Sequence, residues 1–134
     1  TRRSSDLPLE PCSEEEFALL EETARMMLEY PTIPCNDCQY CMPCPYGIDI
    51  PAILLHYNRC INEGNIPHSR QDGNYRKARR AFLIGYDRSA PRLRQASHCI
   101  GCGQCTPHCP QSIDIPQELH RIDDFVERLK QGTL

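Results

Sequence analysis

The sequence has almost no excess of charge of either sign, and it has no long apolar run. Its 134 residues include 15 Lys/Arg and 18 Asp/Glu, which give a formal net charge of −3. So small a net charge gives no support to a nucleic-acid or membrane-surface role. No stretch could span a bilayer, and the N-terminal TRRSSDLPLEP lacks the apolar region of a secretory signal peptide. We therefore expect a protein of the cytoplasm, with no nucleic-acid or membrane partner.

Strand patterns and the marks of a substrate-level catalytic site are missing as well. No segment alternates polar and apolar residues as a half-buried strand does. The chain shows no glycine-rich cofactor loop, no nucleophile–base pair and no paired-carboxylate site. Asp49 and Asp114 have a sufficient structural role as helix caps. These absences predict an all-α fold whose own segment carries out no substrate chemistry.

Two prolines discourage regular structure in residues 1–12, so we predict a loose arm there. Helix signals predict a domain over residues 13–134. The domain opens with Ser13 and Glu16, which form the S-x-x-E pattern of a capping box. This first helix should run to about Glu29 and stop before Pro31. One face of it is apolar, with Phe17, Leu20, Ala24, Met27 and Leu28.

Three further amphipathic helices are predicted. The second starts at the Asp49 cap and Pro51 and stops at Gly64, with Ile53, Leu54, Tyr57 and Ile61 inward. The third spans about Tyr75 to Ile84, with Tyr75, Ala78, Phe82 and Leu83 inward. Asp87 to Ser89 should then cap a short helix from Pro91. The last helix runs from the Asp114 cap and Pro116 to Gly132, with Leu119, Ile122, Val126 and Leu129 inward and Phe125 at the edge.

Ten cysteines are many for a chain of this size, and eight of them crowd into two short blocks. A disulfide scaffold would be the alternative in a secreted chain, but cysteines that recur every third residue are awkward to bridge separately. Each block ends in nearly the same octet, CPYGIDIP from Cys44 and CPQSIDIP from Cys109. The repetition indicates that one thiolate-binding site occurs twice.

The spacing of the second block is that of the bacterial ferredoxin run, in which three cysteines hold one [4Fe–4S] cluster and the fourth reaches the other. The first block is one residue shorter before its last cysteine. We expect two [4Fe–4S] clusters. The first would be bound by Cys35, Cys38, Cys41 and Cys109, and the second by Cys99, Cys102, Cys105 and Cys44. All-cysteine zinc sites are the alternative, although one zinc ion takes four ligands and eight are present.

Other residues near the blocks have simpler interpretations. Gly101 and Gly103 should permit tight turns and bring backbone N–H groups to the sulfurs. Ile48, Ile50, Ile100, Ile113 and Ile115 should shield the clusters or pack in the core. Cys60 should be a small buried apolar residue and Cys12 exposed. His98 and His108 should form hydrogen bonds or face solvent.

The segment from Arg70 to Arg94 contains eight Lys/Arg and two Asp. It is either a docking face for an acidic redox partner or neighbouring domain, or a solvated helix face that offsets the negative charge of the clusters.

The quoted motifs resemble a known family. PCNDCQYCMPCPYGIDIP and CIGCGQCTPHCPQSIDIPQEL, with the SEEEFALLEE lead-in, are similar to the C-terminal ferredoxin-like domain of prokaryotic aldo/keto-reductase-type oxidoreductases. The shortened first block also occurs in that family. The resemblance implies an N-terminal (β/α)8 barrel that binds NADPH and reduces carbonyls, and no such barrel is in this chain. The helical spacer between the blocks looks like that of the α-helical ferredoxin domains in the iron–sulfur subunits of succinate dehydrogenases and heterodisulfide reductases.

The resemblance and the cysteine blocks together predict an electron-transfer domain of a probable oxidoreductase. Its partners would be the barrel domain and an external electron donor or acceptor. Two other functions stay open from the residues alone: clusters that only hold together a docking domain, and a zinc-binding interaction module.

Overall fold

The structure, a computed structural model, describes residues 11–134. The predicted loose arm over residues 1–12 lies outside the described residues except for its last two positions. Contacts divide the chain into two compact units, one that ends at Pro31 and one that spans Thr32–Leu134. Regular structure between residues 11 and 134 is helical, without a strand, in agreement with the predicted all-α class.

The first unit contains α1, Glu14–Glu29. The Ser13 hydroxyl accepts a hydrogen bond from the Glu16 backbone N–H, and the Glu16 carboxylate accepts one from the Ser13 N–H at 2.8 Å. This confirms the predicted capping box. The helix ends where Tyr30 turns extended before Pro31, as steric hindrance from a following proline favours. No residue of α1 is buried, so its apolar face is exposed.

The second unit contains α2, α3 and α4, which span Ile50–Asn62, Tyr75–Ser89 and Ile115–Gln131. Short 3-10 turns occur at Arg92–Arg94, Ala96–His98 and Thr106–His108. The three helices pack against one another, and the turn Ala96–His98 packs against α4. The core of the unit is therefore a small three-helix cluster between the two cysteine blocks and the loop over residues 63–74.

The predicted apolar stripe of α4 is confirmed, since Leu119, Ile122, Val126 and Leu129 are fully buried. Asp114 caps the helix by accepting from the Gln117 N–H, and Gly132 ends it in the left-handed conformation with φ of 67°. Phe125 lies at the edge of the stripe and meets Phe82 of α3 edge-on, with ring centroids 5.1 Å apart.

The predicted end of α3 at Ile84 was wrong. The helix continues through Gly85 to Ser89, so Asp87–Ser89 belong to α3 and do not cap a new helix. The continuation is stabilised by Tyr86, which is buried and accepts a hydrogen bond from the Ala96 N–H through its hydroxyl. Ala90, extended before Pro91, ends the helix instead.

A buried polar contact between α2 and α3 had no signal in the sequence. His56 is 4% exposed, and its Nε2 donates to the Phe82 carbonyl at 3.1 Å, in the tautomer that this contact requires. Burial lowers the pKa of His56, which favours the neutral ring. Gly85 lies directly against this ring, because a Cβ atom built there would come within 2.5 Å of His56 Cε1.

We expect Gly85→Ala to destabilise the unit Thr32–Leu134. Alanine favours a helix by about 1 kcal/mol over glycine, but overpacking in a core costs about 1–3 kcal/mol. The hydrogen bond of His56 to Phe82 prevents the ring from moving away. Thermal unfolding of the anaerobically loaded protein should therefore shift downward by several degrees, at roughly 4–8 °C per kcal/mol.

Gly73→Ala is the matched control, because a Cβ atom at Gly73 has nothing within 4 Å. Its melting temperature should stay close to that of the parent protein. A Gly85→Ala protein as stable as the control would contradict the close packing of α3 on His56.

Candidate cluster-binding site

Each cysteine block directly precedes a helix of the core. The first, Cys35 to Cys44, leads into α2, and the second, Cys99 to Cys109, leads into α4. In both, the aspartate five residues after the last cysteine caps the helix that follows. Asp49 accepts from the Ala52 N–H at 3.4 Å, in the same way as Asp114 accepts from Gln117 at 3.3 Å. The repeated octet therefore has the same structural role in both halves.

The two blocks also share an unusual backbone path. Gly101 and Gly103 have φ of 74° and 71°, and Asp37 and Gln39, 64 residues earlier, have φ of 57° and 62°. The same correspondence occurs after the last cysteine of each block, where Gly47 and Ser112 have φ of 75° and 53°. Left-handed conformation is uncommon for residues other than glycine. Three matching positions indicate that the halves form the same loop despite different residues.

The structure brings the last cysteine of the second block to the first block. Cys35, Cys38, Cys41 and Cys109 line one cavity, although Cys109 is 68 residues from Cys41 in sequence. The rest of the lining includes four apolar residues from the two helix starts and the segment before α4: Pro51, Leu54, Ile113 and Ile115. Four thiols in an apolar cavity suit an iron–sulfur cluster.

Hydrogen bonds connect the turn after Cys44, the last cysteine of the first block, to the segment that precedes the second block. The turn after Cys44 accepts a hydrogen bond from Arg94 Nε at the Gly47 carbonyl, at 3.4 Å. The Asp49 N–H donates to the Arg94 carbonyl at 3.1 Å, and the two side chains form an ion pair at 3.6 Å. These contacts fix the turn that contains Cys44 beside the chain that leads to Cys99.

Burial and mutual repulsion keep several of the thiols protonated in the metal-free protein. Burial raises the pKa of Cys41 to about 11, and the neighbouring Cys35, Cys105 and Cys38 add to the effect. The pKa values of Cys35 and Cys105 are also raised, in each case first by burial. Cluster binding must therefore displace these protons, because thiolates are the ligands.

The predicted burial of the isoleucines near the blocks is confirmed at four positions and wrong at one. Ile48, Ile50, Ile113 and Ile115 are buried. Ile100 is 63% exposed and directly precedes Gly101, which has a left-handed conformation. Ile100 therefore contributes to the surface beside the second block and not to its interior.

Two side chains that sequence reasoning missed anchor the starts of the blocks. Asn58 of α2 accepts from the Ile33 N–H at 2.8 Å and donates to the Ile33 carbonyl at 2.7 Å, two residues before Cys35. His120 of α4 lies with Nε2 3.1 Å from the Cys99 carbonyl, to which it donates. A polar residue on a partly exposed helix face has no sequence signal for such a role. Each block is thus held by the helix that follows it.

The isolated cysteines and the two histidines behave as predicted. Cys12 is exposed, and Cys60 is buried in α2 against the His56 ring. Burial raises the pKa of Cys60 to about 11, as expected for an inert core thiol. His98 donates to the Arg92 carbonyl at 3.0 Å, and His108 is exposed.

The first cavity is lined by four thiols, which is the number of thiolates that one [4Fe–4S] cluster takes. Zinc requires four ligand atoms at about 2.0–2.3 Å from one point. A cubane has four separate iron corners, each with one thiolate, so its ligands stand further apart around a cavity. The thiol set of the first block therefore fits a [4Fe–4S] cluster.

A comparison with protein families agrees with this site. The family model of the 4Fe-4S dicluster domain matches residues 34–114, which is more than half of the chain and contains both blocks. The chain belongs to the 4Fe-4S dicluster domain family. It is thus an iron–sulfur domain of ferredoxin-like type, and two clusters are what the name of the domain describes. Comparisons with curated proteins and with solved structures gave no match.

No helix within residues 11–134 has the length and apolar character to cross a membrane.

We expect Gly103→Val to damage the second block of the dicluster domain, whereas Gly103→Asn should be tolerated. A Cβ atom at Gly103 meets nothing within 4 Å, so only the φ of 71° opposes a side chain. Left-handed backbone costs an L-residue about 1–2 kcal/mol, least for Asn and most for β-branched residues. Iron content and melting temperature after anaerobic reconstitution should both fall for the Val variant.

Gln39→Gly is the complementary control in the first block, where the equivalent left-handed residue already carries a side chain. It should keep the parental iron content. Equal behaviour of Gly103→Val and Gly103→Asn would contradict a backbone constraint at this position.

Proposed function

We propose that the chain is an electron-transfer domain with two [4Fe–4S] clusters, whose ligands are exchanged between the two blocks. Cys35, Cys38, Cys41 and Cys109 would hold one cluster, and Cys99, Cys102, Cys105 and Cys44 the other. The observation that carries the proposal is the cavity shared by Cys109 and the three cysteines of the first block. The hydrogen bonds between the turn after Cys44 and Arg94 support the reciprocal assignment.

The chain's residues provide a suitable environment for negatively charged groups. The first residues of α2 and α4 contribute Pro51 and Ile115 to the cavity, so the positive ends of two helix dipoles lie near the thiols. Both loops contain left-handed residues at matching positions. In loops of this kind, backbone N–H groups that approach the sulfur ligands stabilise them. Buried isoleucines exclude water. When bound, [4Fe–4S] clusters supply reversible one-electron transfer.

Two features favour electron transfer over a purely structural role. Each predicted ligand set has one exposed cysteine, Cys38 in the first block and Cys102 in the second. A centre that only held the fold together would need no exposed edge. The two sets also approach each other, since Cys109, four residues after Cys105, lines the cavity of the first block. An electron could thus enter at one exposed edge and leave at the other.

The wider context follows from the family resemblance. We place this domain at the C-terminus of an aldo/keto-reductase-type oxidoreductase, where it would relay single electrons between an external carrier and a substrate-reducing site on the barrel. Substrate chemistry would then belong to the barrel. The reading frame that encodes this chain tests this placement. We expect about 250 codons of (β/α)8 barrel upstream in the same frame, and an isolated reading frame for this domain would overturn it.

The ligand exchange predicts a specific pattern of iron loss in cysteine variants. Cys38→Ala and Cys109→Ala should each reduce the iron content from about eight to about four per chain, because each removes a ligand of the same cluster. The Cys38→Ala/Cys109→Ala double variant should keep about four, since only one cluster is affected. Cys102→Ala/Cys109→Ala should retain almost none. Iron and acid-labile sulfide are measured after anaerobic reconstitution.

The pattern reverses if Cys109 serves its own block. The Cys102→Ala/Cys109→Ala variant would then keep one cluster and Cys38→Ala/Cys109→Ala would lose both, which would contradict the exchange. Cys60→Ala is the control for loss of a cysteine outside the sites, and it should leave the iron content unchanged because Cys60 is buried against His56.

The electron-transfer role predicts reversible reduction. Dithionite should bleach the brown loaded protein and produce an EPR signal of the reduced clusters, and air-free reoxidation should restore the original spectrum. A loaded protein with about eight irons that dithionite cannot reduce would support clusters with a purely structural role instead. Stoichiometric zinc without sulfide would overturn both cluster functions.

A further inference from the structure

The exposed face of α3 is strongly basic, and the described acids do not neutralise it. Arg76, Lys77, Arg80 and Arg88 are exposed, while Ala78, Phe82 and Tyr86 bury the opposite face. Within residues 11–134, none of these four cations forms an ion pair. We refer to these four residues and Ile84 as the α3 face.

The nearby acids are already engaged in other contacts. Asp87 accepts a hydrogen bond from Gln95 Nε2 at 2.9 Å, and Asp72 accepts from the Ser69 N–H at 3.2 Å. Both of these bonds hold turns of the same unit. The positive charge of the α3 face is therefore available to an external group.

The α3 face is a ridge between two open grooves. One, of about 940 Å³, is lined by Arg70, Arg76, Arg79, Arg80 and Ile84 among others. The second, of about 610 Å³, lies on the other side of the ridge and shares Arg76, Arg80 and Ile84 with the first. Ile84 is 41% exposed between the cations. An apolar centre surrounded by charged residues is the usual composition of a protein–protein interface, in which arginine is enriched.

Arg79 has a structural role in this arrangement. Its Nε donates to the Leu129 carbonyl at 2.6 Å and its Nη2 to the Lys130 carbonyl at 3.3 Å. Arg79 therefore provides hydrogen bonds to two of the last backbone carbonyls of α4. This contact connects α3 to the end of α4. It also places the start of the α3 face near the C-terminal end of α4. Helix α4 is about 25 Å long, and the cysteine blocks precede its N-terminal end.

We propose that the α3 face is the docking surface for an acidic protein partner, with carboxylates that pair with Arg76, Lys77, Arg80 and Arg88 around an apolar side chain seated on Ile84. A protein fits better than a long polyanion, because the chain as a whole carries a charge of −3, which repels nucleic acids and anionic membranes at long range. The partner would lie beside the cluster sites and not over them, so docking and cluster loading should be separable.

The test uses the loaded protein and a synthetic helical peptide with glutamates on both sides of a central leucine. Binding is measured by fluorescence anisotropy at 50 and 300 mM salt. We expect binding that weakens at the higher salt, and Arg76→Glu/Arg80→Glu should reduce the affinity at least about tenfold. Arg59→Glu/Arg128→Glu, with the same change in net charge, should bind like the parent. Iron content should be unchanged in both variants.

Other outcomes would overturn the proposal. The acidic peptide should not fail to bind, and the control variant should not lose as much affinity as Arg76→Glu/Arg80→Glu. The loaded protein should also not bind a 20-mer oligonucleotide, or vesicles with 30% phosphatidylserine, more tightly than it binds the peptide. Self-association at 50 mM salt that Arg76→Glu/Arg80→Glu abolishes would assign the face to a second copy of this chain instead. The iron assay distinguishes failure of this proposal from failure of the cluster function, because docking does not involve the cysteines.

Discussion

The position of Cys109 in the cavity of the first cysteine block is the constraint on which the rest of this structure depends. For Cys109 to lie in that cavity, the starts of α2 and α4 must both border it. Pro51 and Leu54 of α2 and Ile115 of α4 line the cavity together. The position of Cys109 and the placement of α2 and α4 are therefore linked.

The small core is consistent with a fold that relies on its cysteine sites. Apart from α2, α3 and α4, the second unit consists of loops and short 3-10 turns. The loops are held by a few specific hydrogen bonds, from Asn58 to Ile33, from His120 to Cys99 and from Arg94 to the turn after Cys44. A metal site rarely exists before the chain that forms it has folded. Cluster binding and folding should therefore be coupled.

Much of the helical structure could be predicted because its signals are local. The capping box at Ser13 and the Asp114 cap depend on residues three positions away, and the stripe of α4 depends on its own periodicity. The end of α3 could not be predicted in this way, because the Tyr86 side chain packs into the core and bonds Ala96. The burial of His56 could not be predicted from local signals either, because it requires Gly85 on another helix.

Ligand chemistry and the duplication of the site were determined by the sequence alone, because the spacing of thiols and the repeated octet are properties of contiguous residues. Only the tertiary structure could place Cys109 against the first block, since 68 residues separate it from Cys41 and the packing of three helices decides where it lies. Only the tertiary structure could show that Asp37, Gln39 and Ser112 follow the left-handed path of glycines in the other half. Aspartate adopts this path more often than most residues, but the side chains of Gln39 and Ser112 give no local signal for it.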